Sequence, residues 1–232
     1  MKNYFRMNRN YDVERLVADL RTAEQYGKTH LHWKTEDHDG GWSAIPLVSV
    51  YGSTEPEALQ LGKGPYEKTP ILKACPYVEE IVDSFQCPKH RIRFMTLEAG
   101  KNIHEHRDPG DSWALNQVRL HLPIITHDEV YFYLAGDRVI MKPGEMWYLD
   151  FSKPHWVHNK SPITRIHLVF DLMVNDWLRG LFPPETFVER LDNWKYWSQY
   201  HGTETARSVA HALGLNKVKH LLKGKARTLS KM

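Results

Sequence analysis

Two hydrophobic periodicities divide the chain. Residues 11–26 place Val13, Leu16, Val17 and Leu20 three and four apart, which predicts one buried helical face. A second helix is expected over about 71–85, carried by Ile71, Leu72, Val78, Ile81 and Val82, with Pro76 interrupting its first half. Between them, residues 53–70 are rich in Gly, Pro, Lys and Glu and read as a surface loop. From Arg91 the pattern changes to short alternating runs, the period of strands. These runs are Arg91–Leu97, Val118–Ile124, Val130–Leu134, Arg138–Met141, Met146–Asp150, His155–His158 and Arg165–Asp171. Ala99-Gly100, Pro109-Gly110, Gly136-Asp137, Pro143-Gly144 and Ser161-Pro162 supply turn chemistry between them. After Asp171 the spacing is helical again, through Trp177, Leu178, Phe187 and Leu191 and then from Val209 to Leu222. The pattern predicts a mainly β protein with flanking helices, its centre a sandwich or jelly-roll barrel. The unit boundaries read as 1–172, with the β core at about 91–171, and 173–232, a helical extension with a basic tail.

Two strands carry polar faces of unusual content. In Val118-Arg119-Leu120-His121-Leu122 the alternation puts Arg119 and His121 on one side and the aliphatic residues on the other. Arg165 and His167 share a side in the same way, opposite Ile166, Leu168 and Phe170. Either polar face serves as a solvated surface if the aliphatic side is the core. If the aliphatic sides pack under helices or a second sheet instead, two arginines line a cavity. Such a cavity needs an anion, since a buried guanidinium without one is costly. The planar fork of Arg suits a carboxylate.

Composition narrows the classes. The length suits one domain with a full core, and 41% hydrophobic and 25% charged residues are ordinary for a globular protein. No run approaches a membrane span, and Met1-Lys2-Asn3-Tyr4 lacks a leader's apolar stretch, so a cytoplasmic protein is expected. The net charge is only +3, with much of the basic excess between Lys217 and Lys231, so nucleic-acid binding has no further support. Cys75 and Cys87 form no CxxC pair and read as two free thiols.

The candidate chemistry lies in the β region. His106 and Asp108 form an H-x-D step, which on an extended chain turns both side chains to one face. By itself the step is a weak signal among fourteen histidines. His155, after Phe151-Ser152-Lys153-Pro154, completes a two-histidine, one-carboxylate set, the facial arrangement of non-haem iron(II) oxygenases. Arg165 follows ten residues later on the next strand, placed to reach the far carboxylate of a 2-oxoacid.

At this point the sequence resembles the aspartyl/asparaginyl β-hydroxylase family, including its bacterial branch acting on free proline. The resemblance covers about residues 71–171. It runs through Pro76-Tyr77-Val78, Glu98-Ala99-Gly100, His106-Arg107-Asp108, Arg119-Leu120-His121-Leu122, Gly144-Glu145-Met146-Trp147, Leu149-Asp150, Pro154-His155 and Arg165-Ile166-His167-Leu168 to Asp171. It implies a double-stranded β-helix and iron(II) held by His106, Asp108 and His155. It also implies 2-oxoglutarate held by Arg165 at one carboxylate and by His121 near the other. Arg119 would serve that second end or the substrate. The implied reaction consumes dioxygen and hydroxylates an aliphatic carbon of an amino acid, free or in a peptide. Two other readings stand beside it. One is a metal-dependent cupin enzyme using His104 and His106 without 2-oxoglutarate; the other is a non-catalytic ligand-binding jelly roll. The aromatic residues Trp33, Trp42, Tyr51 and Trp113 read as core or pocket wall.

Overall fold

The computed structural model of the protein describes residues 2–27, 29–60 and 62–212. The strands are β1 (Tyr4–Asn10), β2 (His30–Leu31), β3 (Trp42–Val50), β4 (Tyr66–Lys68), β5 (Lys89–Leu97), β6 (Asn102–His106) and β7 (Gln117–Ile125). They continue with β8 (Val130–Leu134), β9 (Asp137–Arg138), β10 (Glu145–Leu149), β11 (His155–Asn159) and β12 (Arg165–Met173). The α-helices are α1 (Val13–Tyr26), α2 (Pro70–Lys73), α3 (Pro76–Asp83), α4 (Asp176–Arg179) and α5 (Phe187–Ala212). Two antiparallel sheets form the jelly roll. The larger runs β1-β10-β7-β12-β5-β3-β2, with β4 alongside β3; the smaller runs β6-β11-β8-β9.

Register decides which side chains share a face. On β12, Asp171 lies opposite Arg119 and Val169 opposite His121 of β7. On its other flank, Val169 faces Arg93 and Arg165 faces Leu97 of β5. Arg93, Arg119, His121, Arg165, His167 and Asp171 therefore all point the same way, into the space between the sheets. The aliphatic side carries Val118, Leu120, Leu122, Ile166, Leu168 and Phe170, which pack with Leu16 and Leu20 of α1 and Val78, Ile81 and Val82 of α3. Each fully buried leucine contributes about 2 kcal/mol there. Between the sheets a smaller cluster joins Met95, Leu97, Leu149 and Val169 to Ile103, Phe132, Leu134 and Val157. The polar faces of β7 and β12 are thus interior because helices cover the other side.

Local chemistry explains the helix ends. Asp12 caps α1 by accepting from the Arg15 N–H at 3.1 Å. The expected 71–85 helix is split. Thr69 caps the short α2, Pro76 begins α3 at the position where a missing N–H costs nothing, and the buried Asp19 accepts from Val78 N at 2.8 Å. Gly144 has φ +80°, and a Cβ there would meet Tyr11 O at 2.6 Å, so the turn into β10 requires glycine.

Several elements differ from the sequence reading. The N-terminal part is not only helical: β1 extends the larger sheet at one edge, while β3 adds beside β5 and carries β2 and β4. Residues 53–70 are more than a surface loop, since β4 pairs with β3 and Ala58 and Leu59 are buried. The Arg138–Met141 run shortens to β9, and Asn102–His106 is a strand that no alternation announced. Both cysteines are free and buried, and burial pushes their thiols up, to about 12 for Cys75 and about 11 for Cys87. The basic tail, Lys217 to Lys231, lies outside the described residues. No helix among the described residues is long and apolar enough to cross a membrane.

Candidate metal centre and buried arginines

His106 ends β6 and His155 begins β11, and the two are directly opposite across the strand pair. Asp108 follows two residues on, tied to the turn before β11 by its N–H to Phe151 O at 2.9 Å. One ligand atom from each of His106, Asp108 and His155 lies within 4.8 Å of the others. The Nδ1 atoms of His106 and His155 meet the carbonyls of His104 (2.7 Å) and Lys153 (3.0 Å). With Nδ1–H donating, each Nε2 keeps its lone pair, and these two Nε2 atoms are 3.1 Å apart. Facing lone pairs at that distance repel unless a cation lies between them. Burial first, and His106 second, hold His155 down to about 3, so its imidazole stays neutral. Burial opposes ionisation of Asp108, but Arg119 and then Lys34 outweigh it and hold the carboxyl well below the usual range. Two imidazole Nε2 atoms and a carboxylate converging on one point suit a divalent transition metal. His104 is turned away, its Nε2 at 2.6 Å from Asp39 Oδ1.

Behind this trio lies a buried ionic network. Asp171, fully buried, accepts from Arg91 Nε at 3.0 Å, Arg93 Nη1 at 2.9 Å and Arg119 Nε at 2.7 Å. Arg119 also donates from Nη1 to Asp108 Oδ2 at 2.9 Å and pairs through Nη2 with Asp111. Three arginines meet three carboxylates, which is the condition for ionised groups to persist in such an interior. The fork of Arg119 is filled by protein carboxylates, so in this structure it is a strut from Asp171 to Asp108. The second oxygen of Asp108 takes Lys34 Nζ at 2.7 Å.

Arg165 is different. It is 3% exposed and, among the described residues, has no carboxylate partner. Its Nε donates to His167 Nε2 at 3.1 Å, and Nη2 lies 3.0 Å from His167 Nδ1. Burial pushes it down to about 9, which leaves it charged at neutral pH. His121 sits beside it, Nδ1 at 3.2 Å from His167 Nδ1, with Nε2 buried and unpartnered. Burial, then Arg165, holds His121 and His167 far below the ordinary imidazole value. A cavity of about 440 Å³ reaches Arg165 and His167, with Phe132, Val139 and Met141 among its walls. A buried cation without an acid partner on a cavity wall, with the orphaned His121 nitrogen behind His167, calls for an anionic, hydrogen-bonding ligand.

Sequence reasoning singled out six residues, and the structure buries Arg119, His121, His155 and Arg165 while leaving His106 and Asp108 half-buried. It missed Arg93, Asp111, Lys34 and His32. The Arg91-Ile92-Arg93-Phe94 alternation repeats that of β7 and β12 and carried the signal for Arg93. Lys34 and His32 lie in a loop with no periodicity. His32 stacks on the buried Trp42 at 3.5 Å between centroids, and burial, then Arg93, holds it down to about 2. Trp113 is core, stacked on Phe182, whereas Trp33 and Tyr51 are exposed.

A family model described as Aspartyl/Asparaginyl beta-hydroxylase matches residues 11–174. The chain is 27% identical to an L-proline cis-4-hydroxylase of Rhizobium meliloti, over 83% of this chain and 70% of that protein. It is 28% identical to L-proline cis-3-hydroxylase 1 of a Streptomyces species, over 69% of this chain and 57% of the relative. Among solved structures, a prolyl hydroxylase from Trichoplax adhaerens aligns over 79% of this chain and 89% of its own, at 11% identity and TM-score 0.49.

Proposed function

Because the chain belongs to the aspartyl/asparaginyl β-hydroxylase family, we propose that it is an iron(II)- and 2-oxoglutarate-dependent oxygenase hydroxylating an aliphatic carbon of an amino acid. The observation that carries the reading is the pairing of two features. A His106/Asp108/His155 cluster sits in the same barrel as a buried arginine with no protein carboxylate to satisfy it.

His106, Asp108 and His155 hold the metal, and the bound iron supplies dioxygen activation coupled to oxidative decarboxylation of 2-oxoglutarate. The chain's own groups do the positioning. Arg165 takes the far carboxylate of 2-oxoglutarate as a charge-assisted pair in a desolvated site, and His121 offers its free Nε2 near the other end. Arg119 aims Asp108 through a 2.9 Å bond while Asp171 fixes Arg119 from behind. The apolar walls from Phe132, Phe151 and Met141 limit water around the reacting centre. Names of the relatives, which act on L-proline, favour a free amino acid over a peptide-bound residue. The bond from His104 to Asp39 argues against the cupin reading, which needs that ring at the metal.

The test is succinate formation with iron(II) and 2-oxoglutarate across free amino acids and short peptides, run in chloride buffer under labelled dioxygen. A product heavier by one labelled oxygen is expected. Absence of succinate with every substrate, a chlorinated product, or loss of two hydrogens overturns the reading.

A further inference from the structure

The segment beyond residue 174 lies outside the family match, yet part of it packs against the candidate metal centre. One side of α5 carries Asn193, Tyr196 and Tyr200, all half-buried, while Trp194 on another side is 63% exposed. Tyr196 Oη donates to Pro109 O at 2.8 Å, and Pro109 is the residue after Asp108. Tyr200 Oη approaches the next residue, lying 3.9 Å from where a Cβ on Gly110 would be. The same turn is closed internally by Asp111 N to Asp108 O at 3.0 Å, and Asp111 pairs with Arg119.

Tyr196 also reaches the second ligand-bearing segment. Lys153 Nζ lies 6.0 Å from the Tyr196 ring, and the neighbouring Ser152 is held by its Oγ donating to Asp150 at 2.6 Å. Lys153 contributes the carbonyl that takes Nδ1 of His155. One phenol therefore bridges the turn that follows Asp108 and the turn that precedes His155. The first turn follows β6 and the second joins β10 to β11, and Asp108 N donates to Phe151 O between them. Nearby, Phe182 stacks on Trp113 at 4.7 Å, and Arg179 lies 5.2 Å over the same ring, which seats the C-terminal segment on residues 113–115.

From this geometry we infer that α5 is part of the metal centre, with Tyr196 as a positioning residue that sets Asp108 relative to His155 through the Pro109 carbonyl and the Ser152 turn. The role rests on the proposed use of Asp108 as a ligand. It makes a distinct claim: a residue some ninety positions downstream of the H-x-D step controls ligand geometry. The hydroxyl, rather than the ring, is the working group. The ring packs the helix; the O–H fixes where the 108–111 turn stands.

The experiment uses full-length protein reconstituted with cobalt(II), whose visible ligand-field spectrum reports geometry independently of turnover. Wild type and Asp108→Ala first establish whether Asp108 ligates: loss of affinity in Asp108→Ala supports the metal-site reading, and no loss defeats that reading rather than this one. Tyr196→Phe keeps the ring and removes the hydroxyl. Losing one hydrogen bond that orders a ligand should weaken cobalt(II) binding by about threefold to tenfold and change the band intensities. The far-ultraviolet spectrum should be that of wild type, and the thermal midpoint should fall by no more than about 2–4 °C, as one lost hydrogen bond implies. Trp194→Ala, on the exposed side of the same helix, should leave metal affinity and spectrum untouched. If Tyr196→Phe has the wild-type cobalt(II) affinity and spectrum, or if Trp194→Ala perturbs them equally, the inference fails.

Discussion

Arg165 gives the sharpest test, because a residue installed for a ligand should be a burden without it. Burial without an acid partner drops its value from 12.5 to about 9. At 1.36 kcal/mol per pH unit this corresponds to about 5 kcal/mol of strain on the charged form, which is the form present at neutral pH. Arg165→Met removes the charge and keeps most of the stem. It also forfeits two contacts to His167, about 1 kcal/mol each, and leaves a small gap where the guanidinium stood, about 1 kcal/mol more. The balance predicts that the variant, without ligand, is more stable than wild type by about 2 kcal/mol. For a chain of this size that raises the midpoint by about 4–8 °C. With metal present, 2-oxoglutarate at a hundred times its Kd should stabilise wild type by about 2.7 kcal/mol and the variant not at all. Urea and thermal melts with and without 2-oxoglutarate measure both effects. A variant less stable than wild type in the absence of 2-oxoglutarate refutes the energetic reasoning; equal protection by 2-oxoglutarate refutes the assignment of Arg165.

Three further outcomes are expected. Asp171→Asn removes the carboxylate shared by Arg91, Arg93 and Arg119 and should cost about 3–5 kcal/mol, so a loss below about 1 kcal/mol in urea melts contradicts the network. Asp108→Ala should weaken cobalt(II) binding by more than about tenfold in equilibrium titrations, with the fold intact by circular dichroism. Acid should destabilise the metal-free protein early. His32 and His155 are held down to about 2 and about 3, and His121 and His167 also lie far below 6.5. With folded values depressed, their contribution is complete above the unfolded value near 6.5 and is lost as pH falls from there. Each histidine adds a slope of up to about 1.4 kcal/mol per pH unit. Midpoints that stay level from pH 7 to pH 5 would show that these rings protonate in the folded state.

What the chain's own text determined was local. Alternation in 118–122 and 165–170 fixed that Arg119 and His121 share a side, as do Arg165 and His167, because side-chain direction in a strand depends only on the backbone. The H-x-D step and the turn residues were legible for the same reason. Strands buried on both faces were not. Trp42–Val50 has no polar period to read and contains Pro46, and β1, with Met7 as its one buried residue, carries little apolar signal. Only tertiary structure decided that the polar sides of β7 and β12 face inward, since that depends on α1 and α3 covering the aliphatic sides. It also decided what each arginine does. Arg119 and Arg165 occupy equivalent places in their local patterns, yet Asp108 and Asp111 of one turn and Asp171 of β12 satisfy the first and leave the second. A charge's partner is set by distance in the folded chain, and spacing along the sequence does not encode that distance.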